Sequence, residues 1–479
     1  MHEFEAQTVY PAQITERLHS PESSLHETVI RNQFEVIKHF VHPVTGLWPA
    51  VEPGAGKREV YEDNHMQDAW IRDSSMNLIG LIEAAAILKQ LNKRSALAAE
   101  IGEFVRDDIH RVIGYLDRER WTNRFRQPIL VNEDHSTFAK PEIGAPEVHL
   151  KTDGGECEWK RQNQPDSWGE LLIAIGRAKQ AKIIDKYSDS ETLFIERVAG
   201  YLCRIQPWNF ECSGMWEDPE VRAPTPRSTA LIIVKGLKAV RDLVKNGQQA
   251  DIHAALRRTM VFVKEDPNTD KTCPDHGDGA DLAMAIAEAM PSTDRTRMPA
   301  DQYISDNAER LSIGVFPGAK RHLYDAYFGN PKVAISEARW FISNPTLVID
   351  YSQATRLAIE NEEYAQAAAS FNQSVARFDQ TLAVLDHYKY APELFIPTDP
   401  EFVNEDENPW IERDPSENVL LVPLQRSLLW NRAFIAWAAA EMAYTQKRVK
   451  RLVTGGITFS EDFFKLNTDA DKKELVIFT

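Results

Sequence analysis

The chain predicts an all-α fold, either two concentric layers of helices or a globular helical bundle, and three observations predict it. Apolar residues recur at helical spacing along most of the 479 residues. Segments apolar nearly all round alternate with segments that carry a single apolar stripe. Strand signals are weak and short. With 43% apolar residues, 27% charged residues and no low-complexity tract, the chain can bury a large core.

Taken in order, Ser20-Pro21-Glu22 is a helix start, with a capping serine, a proline at the first helical position and an acid in the first turn. Leu25, Val29, Ile30, Phe34, Ile37 and Phe40 then follow at helical spacing. Further helices are expected at 74–90, 96–117, 167–185, 191–204, 226–245, 251–263, 279–290, 346–359, 362–385 and 424–444. Those covering 74–90, 167–178, 228–240, 279–290 and 427–443 are apolar on every side, so each is expected to be enclosed by protein. The helix at 96–117 has one stripe (Leu97, Ile101, Phe104, Val105, Ile109, Val112, Leu116) and a charged back, so it belongs outside.

Composition narrows the function. A net charge of −17 opposes binding to nucleic acid or an anionic membrane, and a neutral ligand suits it better. Residues 1–20 carry no apolar stretch of signal-peptide length, and runs such as Leu78–Leu88 are too short to span a bilayer, so the expected location is the cytoplasm. Cys157, Cys203, Cys212 and Cys273 are scattered and read as reduced thiols. No metal and no cofactor is expected. His65, His135, His149 and His276 lack metal spacing, Asp270–Asp281 lacks the alternating ligands and closing glutamate of a calcium loop, and Gly54-Ala55-Gly56-Lys57 lacks the rest of a phosphate loop. Asn372-Gln373-Ser374 fits a glycosylation sequon but falls inside a helical pattern.

The segments ahead of the buried helices carry chemistry. Gln67-Asp68-Ala69-Trp70-Ile71-Arg72-Asp73, Gln164-Pro165-Asp166-Ser167-Trp168, Met215-Trp216-Glu217-Asp218 and Asp275-His276-Gly277-Asp278 each join carboxylates to an aromatic or polar neighbour. Carboxylates there can cap orphan amides and oppose the helix dipole. In a ring of parallel inner helices the same loops would converge on one mouth.

His42-Pro43-Val44-Thr45-Gly46-Leu47-Trp48-Pro49-Ala50 followed by Gln67–Asp73 resembles the opening of the glucoamylase-like domain of phosphorylase kinase α/β subunits, which is similar in turn to glycoside hydrolase family 15. Gln164–Gly169, Gly214-Met215-Trp216-Glu217, Ala391-Pro392-Glu393-Leu394 and Leu428-Leu429-Trp430-Asn431-Arg432-Ala433 resemble later motifs of that family in the same order, so the resemblance spans roughly residues 36–445. It implies a single (α/α)6 toroid over residues 20–447 with short tails at 1–19 and 448–479. It implies inverting hydrolysis of α-glucosidic bonds in malto-oligosaccharides or another α-glucan. Glu217 corresponds to the general acid and Glu393 to the general base. Trp70, Arg72, Asp73, Asp166, Trp168, Trp216 and Trp430 correspond to residues that bind the sugar or line its pocket. The chain departs from the pattern after the acid, where it runs Asp218-Pro219-Glu220-Val221-Arg222, and in Asn330–Tyr351, which supplies no identifiable substrate-clamping arginine. Two alternatives stand beside the glucose-releasing hydrolase: an α,α-trehalase, and a glucan-binding regulatory module without turnover.

Overall fold

The structure, a computed structural model, describes residues 23–50, 69–118, 146–150, 156–208, 227–264, 286–287, 289–291, 339–388, 391–392, 394–398, 412–414, 419–423 and 428–454, with short paired segments at 6–7, 129–130, 140–141 and 477–478. Ten α-helices lie among the described residues: α1 (Ser23–Phe40), α2 (Ile71–Leu91), α3 (Ala96–Leu116), α4 (Pro165–Gln180), α5 (Asp189–Arg204), α6 (Arg227–Val240), α7 (Asn246–Lys264), α8 (Ser343–Glu360), α9 (Tyr364–Tyr388) and α10 (Leu429–Thr454).

Even-numbered helices form an inner ring and odd-numbered helices lie outside it. Round the ring, α8 packs on α10, α10 on α2, α2 on α4 and α4 on α6. Lys235 of α6 then donates to the carbonyls of Ala287 at 2.6 Å and Met290 at 2.8 Å. Met290 N–H bonds the Ile286 carbonyl at 3.1 Å, so the described residues 286–287 and 289–290, in helical contact with one another, follow α6 round the ring. The fold is an (α/α)6 toroid.

The two layers follow from the two hydropathy patterns. In α2 every residue from Ile71 to Leu88 is buried except Asp73 and Ala86. In α10 burial is unbroken from Leu428 to Met442. The outer α3 buries Leu97, Ile101, Val105, Ile109, Val112 and Leu116 while its charged back faces solvent. Glycines set the closeness of the inner ring. A Cβ on Gly169 would lie 3.0 Å from the Ile232 side chain, and one on Gly176 only 2.4 Å from the Ala239 carbonyl. The contact points advance together, from 169 to 176 on α4 and from 232 to 239 on α6, so the two helices run parallel. Gly80 makes the same kind of approach to the Ala433 backbone between α2 and α10.

Some expectations are corrected. The pattern at 346–359 does not read as an enclosed helix, yet α8 belongs to the inner ring and is buried throughout Ser343–Asp350. Ser343, Asn344, Thr346, Asp350, Ser352 and Thr355 are all buried in it, and polar residues lower hydropathy whether or not they are enclosed. Leu25, placed on the stripe of α1, is 45% exposed. The helix expected at 167–185 stops at Gln180. Lys182 adopts φ 56°, and its N–H bonds the Lys179 carbonyl while Ile183 N–H bonds that of Ala178, a Schellman turn without the usual glycine. Glu362 ends α8 in the same way.

Parallel inner helices put their N-termini on one face, and the strands gather there. One antiparallel sheet has the order Trp48–Pro49, Ala69–Trp70, Pro146–Leu150, Glu156–Asn163, which brings the lead-ins to α2 and α4 together. A second has the order Glu412–Asp414, Val419–Pro423, Leu394–Thr398, Arg339–Trp340 and gathers the lead-ins to α8 and α10. The sets are joined where Leu429 N–H, at the start of α10, bonds the Ala50 carbonyl at 3.0 Å.

Candidate active site at the mouth of the helical ring

The opening motif acts by folding. Gly46 has φ +72°, and a Cβ there would meet the Asp108 carbonyl, Asp108 Oδ1 and Val112 Cγ2, each at 3.0 Å, so only glycine fits the turn. His42 Nδ1 accepts from Thr45 N–H at 3.2 Å. Burial holds the His42 imidazole below its ordinary pKa, which favours this acceptor form. The turn delivers Trp48, whose indole N–H donates to the Ile37 carbonyl at 2.8 Å and whose strand pairs with Trp70.

Trp70 is the N-cap residue of α2, extended at φ −117° and ψ 145°. Its carbonyl accepts from Ser74 Oγ, and that oxygen accepts from Trp48 N–H at 2.9 Å. Arg72 and Asp73 therefore fall in the first turn of α2, where an acid opposes the dipole. Asp166 occupies the same place on α4, after Pro165 at the helix start. Arg72 Nε stands 3.4 Å from Asp166 Oδ2, a charge contact longer than a hydrogen bond, with both groups enclosed.

The sequence-derived set divides into three. Arg72 and Asp166 are brought together, with Asp73 beside them on α2. Trp70 and Trp430 open α2 and α10 from neighbouring points of the mouth, 8% and 6% exposed, whereas Trp168, at 2%, is packed within α4. Trp430 meets Phe434 edge-on at 6.2 Å, and its indole N–H has no hydrogen-bond partner among the described residues. Glu217, Trp216 and Glu393 lie outside the described residues, as do Asp275–Asp278, Gly54–Lys57 and Asp270–Asp281. The flanks of residue 393 are described: Ala391 and Pro392 are buried, and Leu394 opens the strand that pairs with Arg339–Trp340.

Several further polar residues lie at this end. Ser75 and Asn77 of α2, Gln164 before α4, Thr229 of α6, and Asn344 and Asn431 through their Oδ1 atoms hold buried polar atoms without a hydrogen-bond partner among the described residues. Each sits in the first third of an inner helix or just before it. Their signal was present as polar residues interrupting otherwise apolar helices. Among the described residues no cluster of three or more metal-ligating side chains occurs, and no helix is long and apolar enough to cross a membrane. Asn372 of the sequon is buried on α9.

No protein-family model matches the chain, and no curated protein matches it in sequence. Solved structures share its fold. A glycosidase with a glutamate-to-alanine substitution, in complex with glucose, aligns with TM-score 0.56 at 17% identity over 89% of this chain and 99% of its own. A second glycosidase structure, in which a different glutamate is alanine, gives 0.56 at 16% identity over the same shares. A tyrosine-to-phenylalanine variant gives 0.57 at 16% identity.

Proposed function

We propose that this chain is an inverting, exo-acting glycoside hydrolase of the family 15 type that releases glucose from malto-oligosaccharides or a related α-glucan. The observation that carries the reading is the mouth itself: inner-helix N-termini converge there with the Arg72–Asp166 pair, Asp73, and indoles at Trp70 and Trp430. Cations, carboxylates and amides hold sugar hydroxyls, and indoles hold the apolar faces of the ring. The fold is shared with glycosidases, one of them bound to glucose, and two of those glycosidases are variants of different glutamates.

In the proposed reaction Glu217 protonates the glycosidic oxygen. Trp216 beside it supplies an apolar wall that raises a carboxyl pKa. Glu393, ionised, takes a proton from a water that attacks the opposite face, which requires the two carboxyls to stand roughly 6.5–9.5 Å apart. Arg72 and Asp73 bind hydroxyls of the terminal glucose and Asp166 steadies Arg72. Trp168 supports the site from within α4.

Maltotriose, isomaltose and α,α-trehalose should be offered to wild type, Glu217→Gln and Glu393→Gln, with the product anomer followed by NMR. Wild type is expected to release β-glucose, fastest from maltotriose, and either variant to lose about 10²–10⁴-fold in kcat. Preference for trehalose would move the substrate assignment. Tight maltotriose binding without turnover would leave only a glucan-binding module.

A further inference from the structure

We infer that Asn431 is a positioning residue for the general base, an inference that rests on the assignment of that role to Glu393. Asn431 lies in the first turn of α10 and is fully enclosed. Its side-chain Nδ2 donates to the carbonyl of Pro392 at 2.9 Å, and one turn back Leu428 N–H donates to the carbonyl of Ala391 at 3.3 Å. Two consecutive carbonyls immediately before residue 393 are thus tied to the start of one inner helix. On the other side Leu394 pairs with Trp340 in the strand that leads into α8. The residues on either side of position 393 are thus anchored, Ala391 and Pro392 to α10 and Leu394 to the strand that leads into α8.

The amide orientation is decided by its partner. Pro392 O only accepts, so Nδ2 must face it, and Oδ1 is left with no hydrogen-bond partner among the described residues. A proline at 392 has no N–H of its own to tie down, which leaves its carbonyl as the anchor on that residue. The same helix start is joined to the opposite sheet through Leu429 N–H and the Ala50 carbonyl at 3.0 Å. Asn431 therefore transmits the position of the ring to the base loop. A general base must sit within hydrogen-bond reach of its water, and an error of about 1 Å can cost on the order of a hundredfold in rate.

The test is a double-mutant cycle on maltotriose hydrolysis. Asn431→Asp keeps the shape but turns an acceptor toward the Pro392 carbonyl. It is expected to lower kcat about ten- to a hundredfold with KM changed less than about twofold, and to move the acidic limb of kcat against pH, which reports the ionisation of the base. In a Glu393→Gln background the same change is expected to add nothing, because the group it positions is already gone. Should Asn431→Asp fail to fold, Asn431→Ala, which removes donor and acceptor together, runs the same cycle. A variant at 431 with wild-type kcat and an unmoved acidic limb, or one whose loss multiplies that of Glu393→Gln, overturns the positioning role while leaving Glu393 as base. Full activity in Glu393→Gln, or a wild type that binds maltotriose without turnover, overturns the parent reading and this inference with it.

Discussion

The two ends of the inner ring treat buried polar groups in opposite ways. Past the middle of the helices, Arg177 of α4 grips Glu83 of α2 through Nε–Oε1 at 2.7 Å and Nη2–Oε2 at 2.9 Å. Arg356 of α8 pairs with Glu441 of α10, which also accepts from Gln353 at 2.8 Å and from the Trp437 indole at 3.2 Å. Lys235 donates to two carbonyls. At the mouth, Ser75, Asn77, Gln164 and the Trp430 indole keep buried hydrogen-bonding atoms without a partner among the described residues. Leaving a buried polar atom unmade costs about 1–3 kcal/mol, so such atoms need a reason. The far end satisfies itself, and the mouth keeps hydrogen-bonding capacity that the proposed sugar substrate would use.

The largest expected effect separates those roles. The charge of Glu83, with its two hydrogen bonds, holds the Arg177 guanidinium above its ordinary pKa. Arg177→Met leaves Glu83 enclosed without its cation and is expected to cost about 3–5 kcal/mol in urea unfolding, with kcat/KM on maltotriose unchanged in the folded fraction. Arg72→Lys retains the charge beside Asp166 but loses the planar fork. It is expected to leave stability within about 1 kcal/mol and to lower kcat/KM by roughly a hundredfold. Equal behaviour of the two substitutions in both assays would erase the contrast between the ends.

The layering was legible because burial on all sides and burial on one side write different hydropathy patterns, as α2 and α3 show. The mouth was legible in part. Arg72 and Asp166 were named from short motifs that lead into buried helices, and their ion pair follows from parallel helices in register. Hidden from hydropathy were the buried polar half of α8, whose Asp350 is 1% exposed, and the strands Glu156–Asn163, whose sequence is mostly polar, and Val419–Pro423, which is only five residues long. The Schellman turns at Lys182 and Glu362 were hidden because neither residue is a glycine. Asn431 was written inside a motif, but its bond to the Pro392 carbonyl depends on two segments meeting in space.

A smaller effect belongs to the turn that feeds the mouth. Asp108, under Gly46, is pushed up to about 8 by burial, against the pull of Arg111, whose Nη2 lies 2.7 Å away. The raised folded value means that the folded state holds a proton the unfolded chain has lost. Stability from this group is therefore complete below about pH 3.8 and drains away as pH rises through about 8. Asp108→Asn cannot titrate, so its stability relative to wild type should grow between pH 4 and pH 8 and then level off. A difference that stays flat with pH would show that Arg111 compensates the charge in full, and the turn would then carry no proton.

The smallest effect tests the glycines that set the ring's closeness. Gly176 faces the Ala239 carbonyl, and the backbone on both sides is held by the inner ring, so Gly176→Ala forces two helices apart. Overpacking of that kind costs about 1–3 kcal/mol, which outweighs the gain of up to about 1 kcal/mol from better helix propensity. Gly114 lies on the outer α3, where an added Cβ meets nothing within 4 Å. Gly114→Ala should collect the propensity gain alone and stabilise by about 0.5–1 kcal/mol. The two substitutions are chemically identical and both sit within helices, so opposite signs in urea unfolding can come only from the layer each occupies. Matching signs would mean that α4 and α6 can separate cheaply, and the close register that lines up the inner-helix N-termini would lose its support.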